Sequence, residues 1–265
     1  MRLARATSWA GALLLAAFTT LMTGAGTAHA AEPPYVALGD SYSSGVGAGS
    51  YDSASGSCKR STRAYPKLWA AAHSPSSFAF AACSGARTTD VTATQLGSLN
   101  GSTGLVSISA GGNDAGFADT MTTCVLQSEA NCLARVKQAN TYINGTLPGR
   151  LDTVYNAIRA KAPAAHVVVL GYPRLYTLGG SCIAGLSENE RAAINQAAEN
   201  LNSVTEKRAL DHGFTFGDVR DTFTGHEICS GDSWLHSVTW PIGDSYHPTA
   251  TGQSRGYYPV LDALA

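Results

Sequence analysis

Past its first thirty residues the chain has no second long apolar run. Nothing after Met22 approaches the roughly 18 apolar residues of a membrane-spanning helix. It also has no excess of positive charge, since 18 Lys and Arg stand against 19 Asp and Glu for a formal net charge of −1. That balance argues against a nucleic-acid binder or a protein held electrostatically on an anionic membrane. Cys-x-x-Cys and tight Cys/His clusters are both missing, which disfavours a zinc site. No internal repeat or low-complexity linker divides the chain.

What is present begins with Arg2 and Arg5, an apolar run from Trp9 to Met22, and Ala28-His29-Ala30, which fits a small-x-small cleavage site. Residues 1–30 therefore read as a secretory signal peptide, too short in its apolar part for an anchor. The twin-arginine signature is absent, so general secretion is the expected route. Residues 31–265 remain, a size suited to one α/β domain and more acidic once Arg2 and Arg5 are lost. All six cysteines (Cys58, Cys83, Cys124, Cys132, Cys182 and Cys229) fall in this exported part, where an even count argues for three disulfides. Six cysteines allow fifteen pairings, and the sequence does not choose among them. Pairing each with its neighbour in order is the simplest assignment, and each such local loop would contribute about 2.5–4 kcal/mol on the chain-entropy model.

Short apolar runs at 35–39, 77–82, 104–110, 166–171 and 214–219 read as strands. His166 to Gly171 is apolar almost throughout, the pattern of a strand covered on both faces. Helical stretches are predicted at 64–73, 129–161 with a break near 144–149, 187–212 and 249–264. Ser187-Glu188-Asn189-Glu190 has the form of a capping box. Alternating strands and helices imply an α/β fold with a parallel sheet and helices on both faces. Ligands in such folds bind beyond the carboxyl ends of the strands. The long irregular segments near 41–60, 172–186 and 220–247 are therefore where chemistry is expected.

Ser41 stands where the first strand ends. A hydroxyl is a weak nucleophile and needs a base within hydrogen-bond reach. His247, in Asp244-Ser245-Tyr246-His247-Pro248, is the candidate base, and Asp244 is spaced to turn back onto the imidazole. Two glycine-containing turns follow the second and third strands, Cys83-Ser84-Gly85-Ala86 and Gly111-Gly112-Asn113-Asp114. Together with the Ser41 N–H, Gly85 and the Asn113 amide have the chemistry of an oxyanion hole. Asp40 is read as holding the turn through backbone hydrogen bonds, and Asp114 as a cap for the helix after its own loop. Trp69, Trp234, Trp240, Tyr246 and the Tyr257-Tyr258 pair are either core or the lining of an apolar site.

Taken in order, Gly39-Asp40-Ser41, Gly85, Gly112-Asn113-Asp114 and Asp244-x-x-His247 resemble the sequence blocks of the SGNH (GDSL) hydrolases, over nearly all of residues 31–265. Cys58-x-Arg60-Ser61, Tyr65-Pro66 and the six cysteines are similar to the secreted bacterial lipase, esterase and phospholipase A branch. The resemblance implies a flavodoxin-like three-layer α/β/α sandwich with a mostly parallel five-stranded sheet. It implies ester hydrolysis through an acyl-enzyme, with Ser41 as nucleophile and His247 as general base. The Ser41 and Gly85 N–H groups and the Asn113 amide would form the oxyanion hole. Either Asp244 or, as in some relatives, a main-chain carbonyl (here that of Ser245) would orient His247. The segment Gly39-Asp40-Ser41-Tyr42-Ser43 lacks the second glycine of a G-x-S-x-G elbow, which disfavours the ordinary α/β-hydrolase arrangement.

The expectation is a secreted, monomeric serine ester hydrolase acting on lipid or other acyl esters without metal or cofactor. It would have no nucleic-acid partner and no stable membrane anchor. A carbohydrate acetylesterase on the same fold is the alternative within enzymes. A secreted binding module with a lapsed site is the alternative outside them.

Overall fold

Tyr35–Gly39 (β1) is buried at every position, and so is Leu105–Ser109 (β3) beside it. A strand with no exposed face must lie between two layers, and its apolar and small residues satisfy that demand. The computed structural model describes residues 32–179, 182 and 185–265. The signal peptide expected over 1–30 lies outside the described residues.

Five strands form one sheet: β1, Phe78–Phe80 (β2), β3, His166–Leu170 (β4) and Thr215–Gly217 (β5). Their spatial order is β2-β1-β3-β4-β5, and every neighbouring pair is parallel. The helices are Ser41–Ser44 (α1), Tyr65–His73 (α2), Thr88–Asp90 (α3), Phe117–Leu126 (α4), Glu129–Gly145 (α5), Leu147–Lys161 (α6), Glu188–Asp211 (α7) and Tyr258–Leu264 (α8). Helix α2 packs with α8, while α5 packs with α6 and α7, so the sheet is the middle layer of a three-layer α/β/α sandwich. The connection from β1 leads outward to β2, and the chain then returns to β3 on the other side of β1. The sheet's topological switch point therefore lies between β1 and β3, where the ends of two adjacent strands open a crevice.

Three departures from the expected elements have physical causes. The edge strand β2 is shorter than predicted, because beyond Phe80 two successive N–H groups, those of Ala81 and Ala82, both turn to the single carbonyl of Ala37. Helix α4 was not expected, since Thr120, Thr122 and Thr123 are β-branched and weak helix formers. It is held by burial of Thr120, Met121 and Cys124 and by the Cys124–Cys132 disulfide to α5. Asp114 does not cap the helix after its own loop. Its carboxylate instead accepts from the Thr88 N–H at 3.0 Å and from the Thr88 hydroxyl, because α3 begins beside it.

The other two disulfides, Cys58–Cys83 and Cys182–Cys229, also join segments beyond the carboxyl ends of strands. Cys58–Cys83 fastens the loop after α1 to the turn after β2, and Ser84 N–H donates to the Cys58 carbonyl in the same place.

Candidate active site

Gly39 fixes where the first strand stops. Its φ is +119°, and a Cβ there would lie 2.4 Å from the Ser109 carbonyl oxygen, so only glycine lets the ends of β1 and β3 approach this closely. Gln95 clamps the same residue with its side-chain amide. Oε1 accepts from the Gly39 N–H at 2.7 Å and Nε2 donates to the Gly39 carbonyl at 2.9 Å. Asp40 then caps α1, with Oδ1 accepting from the Tyr42 N–H at 3.0 Å. Its Oδ2 accepts from the Tyr172 hydroxyl at 2.6 Å. Burial pushes the Asp40 carboxyl up to about 6, against the pull of the Tyr172 and Tyr42 hydrogen bonds. The result is a rigid turn that delivers Ser41 at the switch point.

Gln95 and Tyr172 escape a reading of the sequence. They lie 56 residues from Gly39 and 132 from Asp40, and only folding brings them there. For Tyr172 the available signal was its position just past β4.

His247 meets Ser41 across the crevice, with Nε2 2.8 Å from the serine Oγ. Its Nδ1 lies 2.9 Å from the Ser245 carbonyl oxygen. A carbonyl can only accept, so Nδ1 carries the proton and Nε2 presents its lone pair to the Ser41 hydroxyl. Burial lowers the imidazole to about 4, with the Ser245 carbonyl and the Asp244 charge acting in the opposite direction. At neutral pH the ring is therefore a free base. Tyr246 makes this contact possible: its φ of +63° reverses the chain between Ser245 and His247 and turns the carbonyl back onto the ring. The Tyr42 hydroxyl holds that kink by donating to the Tyr246 carbonyl at 2.7 Å.

Asp244 is not on Nδ1. Its carboxylate pairs with Lys59 Nζ at 3.4 Å, while its main-chain carbonyl accepts from the His247 N–H. Asp244 ends a single 3₁₀ turn, Ile242–Asp244. The chain then turns so that the Ser245 carbonyl, rather than the Asp244 side chain, faces the ring.

The three expected oxyanion donors, those of Ser41, Gly85 and Asn113, line one cleft with His247. Among the described residues neither the Ser41 N–H nor the Gly85 N–H has a hydrogen-bond partner within the protein. Gly85 has a φ of +76° and open space where a Cβ would stand. Asn113 Nδ2 donates to the Ala86 carbonyl at 3.0 Å, which fixes the amide plane with one of its two hydrogens.

Two apolar spaces meet at Ser41. One is a narrow recess of about 80 Å³ lined by Thr120 and Met121 of α4, Val136, Ala139 and Ile143 of α5, and Ile194, Ala198 and Leu201 of α7. The other is a wider cleft of about 390 Å³ that runs past Gly85 and His247 to Val125, Leu126, Val238 and Ile242. Ser41, Asn113, Phe117 and Met121 border both. Of the aromatics singled out from the sequence, Trp69, Trp234 and Tyr257 are core, Tyr246 borders the wider cleft and Trp240 is exposed.

The profile of the GDSL-like lipase/acylhydrolase family matches residues 37–255, which takes in every block around this crevice. The chain belongs to that family. It is 67% identical over its whole length to all of Lipase 1 of Streptomyces coelicolor. The crystal structure of phospholipase A1 from Streptomyces albidoflavus NA297 superposes with a TM-score of 0.87 at 69% identity, covering 89% of this chain and 100% of that one. The extracellular lipase from Streptomyces rimosus gives the same TM-score at 68% identity, covering 88% of this chain and 100% of that one. As a GDSL hydrolase with these relatives, the chain is a carboxylic ester hydrolase, and its sandwich is the SGNH hydrolase fold.

Proposed function

We propose that the protein is a secreted lipase or phospholipase of the A type, with residues 1–30 its signal peptide and 31–265 its hydrolase domain. Ser41 Oγ attacks the ester carbonyl carbon as its proton passes to His247 Nε2. The negative charge that develops on the carbonyl oxygen is met by the Ser41 and Gly85 N–H groups and the Asn113 amide. The carbon–oxygen bond to the alcohol then breaks, and the imidazolium returns its proton to the departing oxygen. A water deprotonated by His247 frees the acid from Ser41 in the same way. Throughout, the Ser245 carbonyl keeps the ring in one tautomer and steadies the imidazolium with a dipole.

One observation carries this reading: a hydroxyl 2.8 Å from a neutral imidazole, at the meeting point of two apolar spaces. The narrow recess takes the acyl chain and the wider cleft takes the alcohol part. A recess that runs from Ser41 to Ile143 and Leu201 has more apolar wall than an acetyl group can use, which argues against a carbohydrate acetylesterase. The extracellular lipase from Streptomyces rimosus supports secretion, as do the three disulfides.

A phosphonate ester that traps active serines should label Ser41, and Ser41→Ala should fold yet lose activity. Labelling of another serine would overturn the mechanism. A series of aryl esters of increasing chain length, run beside phospholipids and acetylated sugars, should favour the longer acyl groups.

A further inference from the structure

Seven large apolar side chains are exposed among the described residues, and five of them gather at one place. Val125 and Leu126 end α4, while Val238, Trp240 and Ile242 lie on the loop that leads to His247. Four of these border the wider cleft, and Trp240 stands between Val238 and Ile242 in sequence. Scattered exposed apolar residues are ordinary, but a cluster around the mouth of a site marks a surface that meets something apolar. The tryptophans sharpen the contrast: Trp69 and Trp234 are buried, whereas Trp240 is 87% exposed.

The loop presents Trp240 at its tip. Its base is closed by His236 N–H to the His247 carbonyl at 2.9 Å and Tyr246 N–H to the His236 carbonyl at 3.0 Å. Nearer the tip, the Thr239 N–H donates to Ser245 Oγ at 3.0 Å. An indole held at the end of a closed loop fits the boundary between water and acyl chains, where tryptophan's apolar ring and polar N–H are both satisfied.

We propose that this rim docks on a neutral phospholipid surface, with Trp240, Leu126, Val238 and Ile242 entering its acyl boundary. The open cleft then faces the ester layer directly. The choice of occupant rests on the acyl-ester reading of the cleft, with which the rim is continuous. A neutral surface follows from the charges. Residues 31–265 carry 16 Lys and Arg against 19 Asp and Glu, a formal net charge of −3, and Lys59, a cation beside this loop, is paired with Asp244. Attraction is then apolar rather than ionic, and it persists in salt.

Intrinsic fluorescence and cosedimentation with phosphatidylcholine vesicles test the proposal. In the mature protein, residues 31–265, Trp9 is gone and Trp69 and Trp234 are buried, so a shift of emission to shorter wavelength on adding vesicles reports Trp240. The shift is expected at both low and high salt. Trp240→Ser should bind vesicles about tenfold more weakly, and Trp240→Phe should retain most of the binding. Trp240→Ser should keep the wild-type kcat/KM on a water-soluble short-chain ester. Ser41→Ala should bind vesicles like the wild type, so docking is read independently of catalysis. Persistence of soluble-ester activity in Ser41→Ala would sink the esterase mechanism while leaving the docking result to stand. Unshifted wild-type emission without cosedimentation would overturn the proposal. So would equal binding by Trp240→Ser, or a Trp240-dependent dimer that leaves vesicles unbound.

Discussion

The Ser245 carbonyl oxygen lies 2.9 Å from Nδ1 of His247, and it occupies the position where a catalytic triad places a carboxylate. A carbonyl fixes the tautomer as a carboxylate does, but it brings a dipole instead of a full charge. The Asp244 carboxylate is engaged with Lys59. Asp244→Asn should therefore lower kcat by less than about tenfold, whereas loss of a true triad acid costs about 10⁴. His247→Gln should remove nearly all activity. Steady-state kinetics on a soluble ester separates the cases, and a loss of three decades in Asp244→Asn would restore the triad.

Asn113 has one amide hydrogen committed to the Ala86 carbonyl, and the proposed mechanism gives its other to the reacting oxygen. Asn113→Ala should lower kcat by about 10²–10³ and change KM little, as expected for a donor that engages chiefly in the transition state. An effect confined to KM would place Asn113 in ground-state binding.

Ala198 lines the narrow recess on α7. Ala198→Leu should fill part of that space, lowering kcat/KM for long-chain aryl esters by about tenfold or more while sparing the acetyl ester. An equal loss across the series would move the acyl chain to the wider cleft.

His247 and Asp40 should pull the pH dependence of stability in opposite directions. Burial takes His247 from 6.5 when unfolded to about 4 when native. Between pH 4 and 6 the unfolded state therefore holds the extra proton, and stability rises with pH. Burial raises Asp40 from 3.8 to about 6. Across the same window the native state holds its proton, and stability falls as pH rises. Other carboxyls held low in the native state, Asp152 and Asp218 among them, add a common background to this window. Measured against the wild type, the change in urea midpoint from pH 4 to 6 should be shifted downward in His247→Gln, which loses the rising contribution. It should be shifted upward in Asp40→Asn, which loses the falling one. Shifts in the same direction in both variants would contradict this assignment.

How much of this could be read from the sequence depended on how local each feature is. The parallel α/β fold was legible because apolar runs such as Val167-Val168-Val169-Leu170 and the capping box at Ser187 and Glu190 carry their own signal. Ser41 and His247 were legible because each sits in a short block at the end of an element. The group on Nδ1 was not, because spacing brings both Asp244 and Ser245 near the ring and only the positive φ of Tyr246 decides between them. Gln95 and Tyr172 were hidden for another reason. They serve backbone and carboxylate groups far away in sequence, and a lone glutamine or tyrosine carries no mark of that task. Helix α4 was hidden by its threonines, because tertiary packing and a disulfide override weak local preference.

The closed loop from His236 to His247 separates two duties along one short piece of chain. Its base is tied by main-chain hydrogen bonds beside the imidazole, and its tip carries Val238, Trp240 and Ile242 outward. Exchanging tip residues leaves the tied base in register. Lengthening or shortening the stem does not, because every base contact shifts together. The proposed docking rim is thus open to gradual change by substitution, while the geometry beneath it is guarded by chain length.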